Sequence, residues 1–434
     1  MSKISELPSV EAFITSILDD LKQENMNIGD MFARCFKSNM ELSAEFDEDG
    51  SVFLKTGDIP AMWLRDSACQ IRPFLFLADR EPEIARLIEG VIKRQIACIL
   101  IDPYANAFNE TANGNCWDHD LTDMRPELWE RKFEIDSLCY PFQISYLYWK
   151  KTGNTAIFDQ NYLQAIKDVF RLFTVEQNHE ALSPYTFQRM NCVFTDTLSR
   201  KGRGALVNPH CGLIWSGFRP SDDACVYGYL IPSNMFAVVV TEYLSEITRE
   251  IYCDCVLSEQ LLNFSIALRK AIEEYAVVPV GGERFDKPFY AYEVDGFGQY
   301  NIMDDANVPS LLSIPYLGYK AASDKLYRST KEIILSQQNP YYYSGSAASG
   351  IGSPHTKADY IWPISLGMQG LTSDSREEKR HFIELMAAMD GGTGWMHESF
   401  DVNDPCKFTR PEFGWANAVF AELVLDYLGY KVRV

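Results

Sequence analysis

Six times along the chain a polar loop carrying Asp, Trp or Pro runs directly into a strongly apolar segment. The apolar segments are residues 59–78, 134–153, 229–247, 304–319, 359–372 and 412–430. Between them lie stretches of a different character, at 9–21, 81–99, 155–173, 257–275, 323–335 and 375–389, where apolar residues recur at three- and four-residue spacing with charges between. That spacing predicts helices with one wet face, whereas the marker segments, apolar nearly all round, predict helices buried on most sides. The markers Trp63, Asp136, Pro232, Asp305, Trp362 and Trp415 are separated by 53 to 96 residues, room for two helices and their connections and longer than the repeat of ordinary solenoids. One buried and one wet helix, six times over, predicts an all-α (α/α)6 toroid with an inner and an outer ring. Its polar loops converge on one pocket. Strand-like runs are few, Ser51 to Leu54 being one.

Composition adds limits. No Pro/Ser/Gly linker divides the 434 residues, and 47% hydrophobic content supplies a large core, so a single domain over 1–434 is expected. A net charge of −20 argues against a nucleic-acid partner, because phosphate binding requires clustered Lys and Arg. No run approaches the length of a membrane span and no basic-then-apolar leader opens the chain. The eleven cysteines are scattered singly or within apolar segments, as expected of reduced thiols in a cytoplasmic protein.

Several chemistries are missing at the level of motif. The six histidines show no metal-ligand spacing, and Cys253-Asp-Cys255 has no second cluster beside it, so no metal and no cofactor are expected. Phosphate-cradling glycine loops and a nucleophile elbow are also lacking. What remains is carboxylates, aromatics and amides in the loops. Trp63, Arg65 and Asp66 open the first inner segment, and Lys132, Glu134 and Asp136 precede the second. Arg219, Asp222 and Asp223 precede the third, Asp305 the fourth, Trp362 the fifth, and His397 and Glu398 the sixth. Such a lining suits a sugar: carboxylate, Arg and amide groups bind hydroxyls while aromatic rings cover the apolar face. Hydrolysis of a glycoside then needs two carboxyl groups, one protonated to serve the leaving oxygen and one ionised. Adjacent Asp222 and Asp223 suit the first role, since each charge penalises ionisation of the other, and Glu398 suits the second. The plainer reading of Asp66, Asp136 and Asp305 is helix capping.

Six blocks resemble glycoside hydrolase family 125: TGDIPAMWLRDSA (56–68), ERKFEIDSLCYP (130–141), GLIWSGFRPSDDA (212–224), YLIPSNMF (229–236), MHESF (396–400) and FGWANA (413–418). The resemblance implies an (α/α)6 fold and an exo-acting, metal-independent α-1,6-mannosidase of bacterial, cytoplasmic origin that inverts at the anomeric carbon. Its substrate would be an α-1,6-linked manno-oligosaccharide such as an N-glycan fragment. The base then falls on Glu398 and the acid on Asp222 or Asp223, with Asp222 preferred. Arg65 and Asp66 resemble a pair that grips the terminal sugar. Trp63, Asp305, His355, Trp362 and Trp415 are expected as further lining, with Lys132, Asp136 and Arg219 beside them, and His210 and His397 either line the pocket or serve the structure. The alternatives are another inverting α-glycosidase of glucosidase or trehalase type, a sugar epimerase using His210 and His397 as acid and base, and a carbohydrate-binding protein.

Overall fold

The protein was described from a computed structural model covering residues 6–42, 44–280 and 285–431. All six amphipathic stretches are helices: Pro8–Gln23, Pro82–Ile101, Gln160–Glu176, Cys255–Tyr275, Lys325–Ile334 and Arg376–Ala388. Five of the apolar segments also hold substantial helices, at Leu64–Ile71 (continued as a 3-10 turn over Arg72–Phe76), Ile135–Thr152, Ile231–Glu250, Pro363–Leu371 and Gly414–Tyr427. Burial separates the two sets as their patterns require. Every residue of Leu64–Ile71 and of Pro363–Leu371 is buried, whereas Arg376–Ala388 buries only Ile383 and Met386. Around the inner ring the first helix packs on the second, the second on the third, the third on the fourth segment, the fifth on the sixth, and the sixth back on the first. The chain is an (α/α)6 toroid, and one apolar core runs through it from Val10 to Tyr427.

The fourth inner segment departs from the expected pattern. Only one turn, Ile314–Leu317, is α-helical. Pro309 and Pro315 remove two backbone donors and bias the residues before them away from helix. The freed backbone is satisfied locally instead: buried Asp304 accepts the N–H groups of Leu311 and Leu312 at 2.8 and 3.0 Å. A helix that the repeat did not signal, Gly29–Leu42, packs against Gly414–Tyr427. The strand-like run at 51–54 is the strand Val52–Leu54, and further short strands beyond the sequence pattern bring the total to six sheets of two or three strands among the described residues. They stitch neighbouring loops: Met62–Trp63 pairs with Ala107–Phe108, which pairs with Leu128–Glu130. Likewise Ser399–Asp401 lies between Tyr360–Ile361 and Asp404–Thr409.

Capping divides the rings in function. Five of the six outer helices are capped by a side chain (Glu81, Asp159, Asp254, Asp324 or Ser375) that accepts a first-turn N–H. The inner helices have Trp63, Glu134, Leu230, Ser313, Trp362 and Phe413 at that position, and none caps through its side chain. Capping is therefore not what occupies Asp66, Asp136 and Asp305.

Farther along the first inner segment a buried ion pair joins four of the six inner elements. Arg72 Nε donates to both carboxylate oxygens of Glu422 at 3.1 and 3.2 Å, and its Nη1 donates to Gln143. The hydroxyl of Tyr316 donates to Glu422 at 2.9 Å, with the Arg72 guanidinium over its ring. Removing one member of such a pair leaves an uncompensated buried charge. Glu422→Ala is expected to cost about 3–5 kcal/mol of stability, read as a lowered urea midpoint, while Glu422→Gln, which keeps an acceptor for Arg72, costs less.

Candidate active site

The loop ends of the inner segments surround a cavity that opens to solvent. Of the residues singled out in the sequence, Trp63, Arg65, Asp66, Asp222, His355, Trp362, Glu398 and Trp415 line it. Larger grooves on the outer surface, such as one along Phe170, Leu182 and Val256, lack this convergence of charge.

Arg65 is the electrostatic centre. Its guanidinium, buried on the first inner helix, donates to Glu134 Oε2 at 2.6 Å and to Asp222 Oδ1 at 3.2 Å. It also lies 3.4 Å from Asp66 and 3.7 Å from Asp136, and it faces the Trp415 ring. Burial alone drives each of these carboxyls toward neutrality, and the guanidinium opposes it to different degrees. Asp66 and Asp136 are both pushed up to about 6, chiefly by burial. Glu134 is raised further, by burial and by the charges of Asp222 and Asp136 despite Arg65. Asp222 shifts the other way. Burial resists its ionisation, but Arg65, a hydrogen bond with Glu134, Lys132 and His355 together hold it below the usual carboxylate range.

The neighbours Asp222 and Asp223 have separate environments because the backbone turns between them. Asp222 has φ of 65°, a left-handed conformation that Asp and Asn tolerate better than most residues. Around it the Asp222 N–H donates to Arg219 O and the Arg219 N–H donates to Asp223 O. Asp222 faces the cavity and keeps 23% of its side chain exposed. Asp223 is buried behind it, 3.3 Å from His355 Nδ1. Burial works against a charged His355, yet Asp223, Glu398 and Asp222 outweigh it and raise the imidazole to about 9.

Glu398 precedes the strand Ser399–Asp401 and accepts from Arg410 Nε at 3.2 Å, while Arg410 also pairs with Asp58. In extended chain successive side chains point to opposite faces. His397 accordingly departs from the pocket-lining reading: it is buried and stacked 3.7 Å from the Phe408 ring, with its nitrogens near the carbonyls of Arg410 and Asp390. His210 departs from it too, lying exposed in a loop where its N–H donates to Asn208.

The remaining predicted residues support the lining from behind. Lys132 Nζ donates to the Asp222 carbonyl at 2.8 Å and to Asp196 at 3.1 Å. Arg219 pairs with buried Glu293 at 2.6 Å. Asp305 accepts from Asn307 and Ser353, and Asp136 from Ser233. Asn307, Arg410, Glu412 and Phe413 line the cavity without having been singled out. Phe413 opens the FGWANA motif at 413–418, but Arg410 looks like any charged loop residue until the Asp404–Thr409 strand places it. Among the described residues no group of three or more His, Cys, Asp or Glu is arranged to hold a metal ion.

A pocket closed by carboxyls, a guanidinium and tryptophans at the loop end of an (α/α)6 ring is the layout of a toroidal glycoside hydrolase. A bacterial glucoamylase structure complexed with acarbose shares the fold over 93% of this chain and 56% of its own, at TM-score 0.59 and 12% identity. The family is specific: residues 25–425 match the sequence pattern of glycoside hydrolase family 125, the metal-independent α-mannosidases, and the chain belongs to that family. A Streptococcus pneumoniae member, solved in a non-productive complex with α-1,6-mannobiose, is 46% identical and superposes at TM-score 0.94, covering 97% of this chain and 98% of its own. The meiotically up-regulated gene 157 protein of Schizosaccharomyces pombe is 37% identical over 98% of this chain and 86% of its own length.

The stability contributed by charged His355 is complete below about pH 6.5 and is lost as pH rises through about 9, because its folded value lies above its unfolded one. In an NMR titration of the histidine rings, His355 is expected to titrate near pH 9, and Asp223→Asn to lower its midpoint by about one unit or more.

Proposed function

We propose that this chain is an exo-acting α-1,6-mannosidase that works by single displacement, with Asp222 as general acid and Glu398 as general base. The observation that carries the reading is the meeting of these two carboxyls, from the third and sixth loops, in one cavity with Arg65 and Asp66. Support for the linkage comes from the α-1,6-mannobiose bound by the 46% identical S. pneumoniae relative.

The roles follow from what each group touches. Arg65 and Asp66 present donors and acceptors to the hydroxyls of a terminal sugar, with Trp63, Trp362 and Trp415 as apolar walls. Glu398, oriented by Arg410, takes a proton from a water that attacks the anomeric carbon, while Asp222 protonates the departing oxygen on the other face. Asp222 is preferred over Asp223 because it faces the cavity while Asp223 is turned to His355. An epimerase reading would require His210 and His397 as opposed acid and base, and neither lies at the cavity.

The whole chain acts as one catalytic domain in this reading, and the substrate class is the α-1,6-linked mannose ends of N-glycan fragments. A cytoplasmic setting is supported by eleven free cysteines, and no described helix is long and apolar enough to cross a membrane. The yeast relative extends the family beyond bacteria, so a bacterial origin is left without particular support.

NMR of an α-1,6-mannobiose digest is expected to show β-mannose first, with the α-anomer appearing only by mutarotation; α-mannose as first product would overturn inversion. Glu398→Gln and Asp222→Asn are each expected to lower kcat roughly 10²–10⁴-fold with the thermal melt preserved. Wild-type turnover in Glu398→Gln would remove it as the base.

A further inference from the structure

The reading of Asp222 as general acid leaves its proton unexplained. A general acid must start protonated, yet Asp222 sits against Arg65 Nη2 and Asn106 Nδ2, both donating to Oδ1, with Lys132 on its own carbonyl. Those donors favour the carboxylate. The charge balance of the site shows that a proton must nevertheless be close by. Arg65, Lys132, His355 and Arg410 face Asp66, Glu134, Asp136, Asp222, Asp223 and Glu398, with Arg410 paired to Glu398 and Lys132 shared with Glu130 and Asp196 outside the cavity. Six carboxyls around four cations cannot all be ionised in a buried site without a large desolvation penalty.

Glu134 is where the geometry puts that proton. It is fully buried at the start of the second inner helix. Its Oε2 accepts from Arg65 Nη1 at 2.6 Å and from Ser137 Oγ at 2.8 Å. Its Oε1 is buried and receives no donor, and the two terminal nitrogens of the one Arg65 guanidinium hold the Glu134 and Asp222 carboxyls side by side. Two ionised carboxylates side by side on one guanidinium repel, and a proton on the unpartnered, buried Oε1 relieves both that repulsion and its unpaired charge. We infer that Glu134 is a positioning residue that holds the catalytic proton and delivers it to Asp222. In the resting site the proton resides on Glu134 Oε1 and is donated toward Asp222. During turnover it passes to Asp222 and from there to the leaving glycosidic oxygen, leaving both carboxyls ionised. Glu398 gains one proton from the attacking water in the same step, so the count balances. The cycle closes when that proton returns through solvent to the Glu134–Asp222 pair. No oxidant or other co-reactant is involved.

This rests on Asp222 as the acid, and the test separates the two claims by leaving group. The pH profile of kcat/KM is measured for wild type, Glu134→Gln, Ser137→Ala and Asp222→Asn, with α-1,6-mannobiose and with a dinitrophenyl α-mannoside whose leaving group needs no protonation. In Glu134→Gln, activity on the disaccharide at neutral pH is expected to fall roughly 10²-fold. Its alkaline limb moves to lower pH by about one unit or more, and activity partly recovers on acidification. Hydrolysis of the dinitrophenyl substrate stays within a few-fold of wild type. Ser137→Ala removes a donor that stabilises the Glu134 carboxylate, so its alkaline limb moves to higher pH, and this variant decides the matter should Glu134→Gln not fold. An equal loss on both substrates, or alkaline limbs that do not move, would assign Glu134 a packing role only and overturn the inference. If Asp222→Asn loses both substrates equally, the acid assignment itself fails, whatever Glu134 does.

Discussion

One guanidinium holds the working end of this protein together. Carboxyls from the first, second and third loops meet around Arg65, and without its charge their mutual repulsion and desolvation would drive the loops apart or leave every acid neutral. Because the four partners lie at different distances and accept different further donors, one cation produces a graded set of acids. Asp66 and Asp136 lie near 6, Glu134 above them and Asp222 below. A glycosidase needs such a spread, since one carboxyl must deliver a proton at the pH where another stays ionised.

The toroid makes that arrangement sustainable. Four of the six outer helices consume an acid as their cap, which closes those ends electrostatically. Inner helices spend no side chain on capping, and their first turns leave backbone donors and the positive end of each dipole near the site. Acids there are available for substrate and for one another. Elsewhere along the same segments the Arg72–Glu422 pair, with Gln143 and Tyr316, ties the inner ring through its apolar middle. Two buried arginines seven residues apart on one segment thus do different work: Arg72 joins the ring, and Arg65 joins the loops.

Much of this was legible in the sequence. The alternation of all-round apolar and amphipathic stretches placed eleven of the twelve ring helices, because burial on one side or on all sides dictates side-chain type directly. It failed at 304–319, where two prolines and a carboxylate-bridged turn replace the helix within an equally apolar stretch. It also passed over Gly29–Leu42, a helix outside the repeat that buries its apolar face on the last inner helix. Apart from the run at 51–54, which is the strand Val52–Leu54, the small sheets were not read from the sequence: most of their strands are two or three residues long, with no period to detect, and their register comes from loops distant in sequence.

For the site, residue type and position in a loop were enough to nominate Arg65, Asp66, Asp222 and Glu398. They were not enough to tell Asp222 from Asp223, or Glu398 from His397, since adjacent residues share a composition and differ only in where the backbone points them. Likewise nothing local distinguishes Glu134 from any acid before a helix. By itself the sequence determined which stretches must be buried and which loops must gather at the ring's end, because hydrophobic periodicity is a property of the local chain. Only the tertiary structure decided which carboxyls share one cation, because that depends on distances between loops tens to hundreds of residues apart.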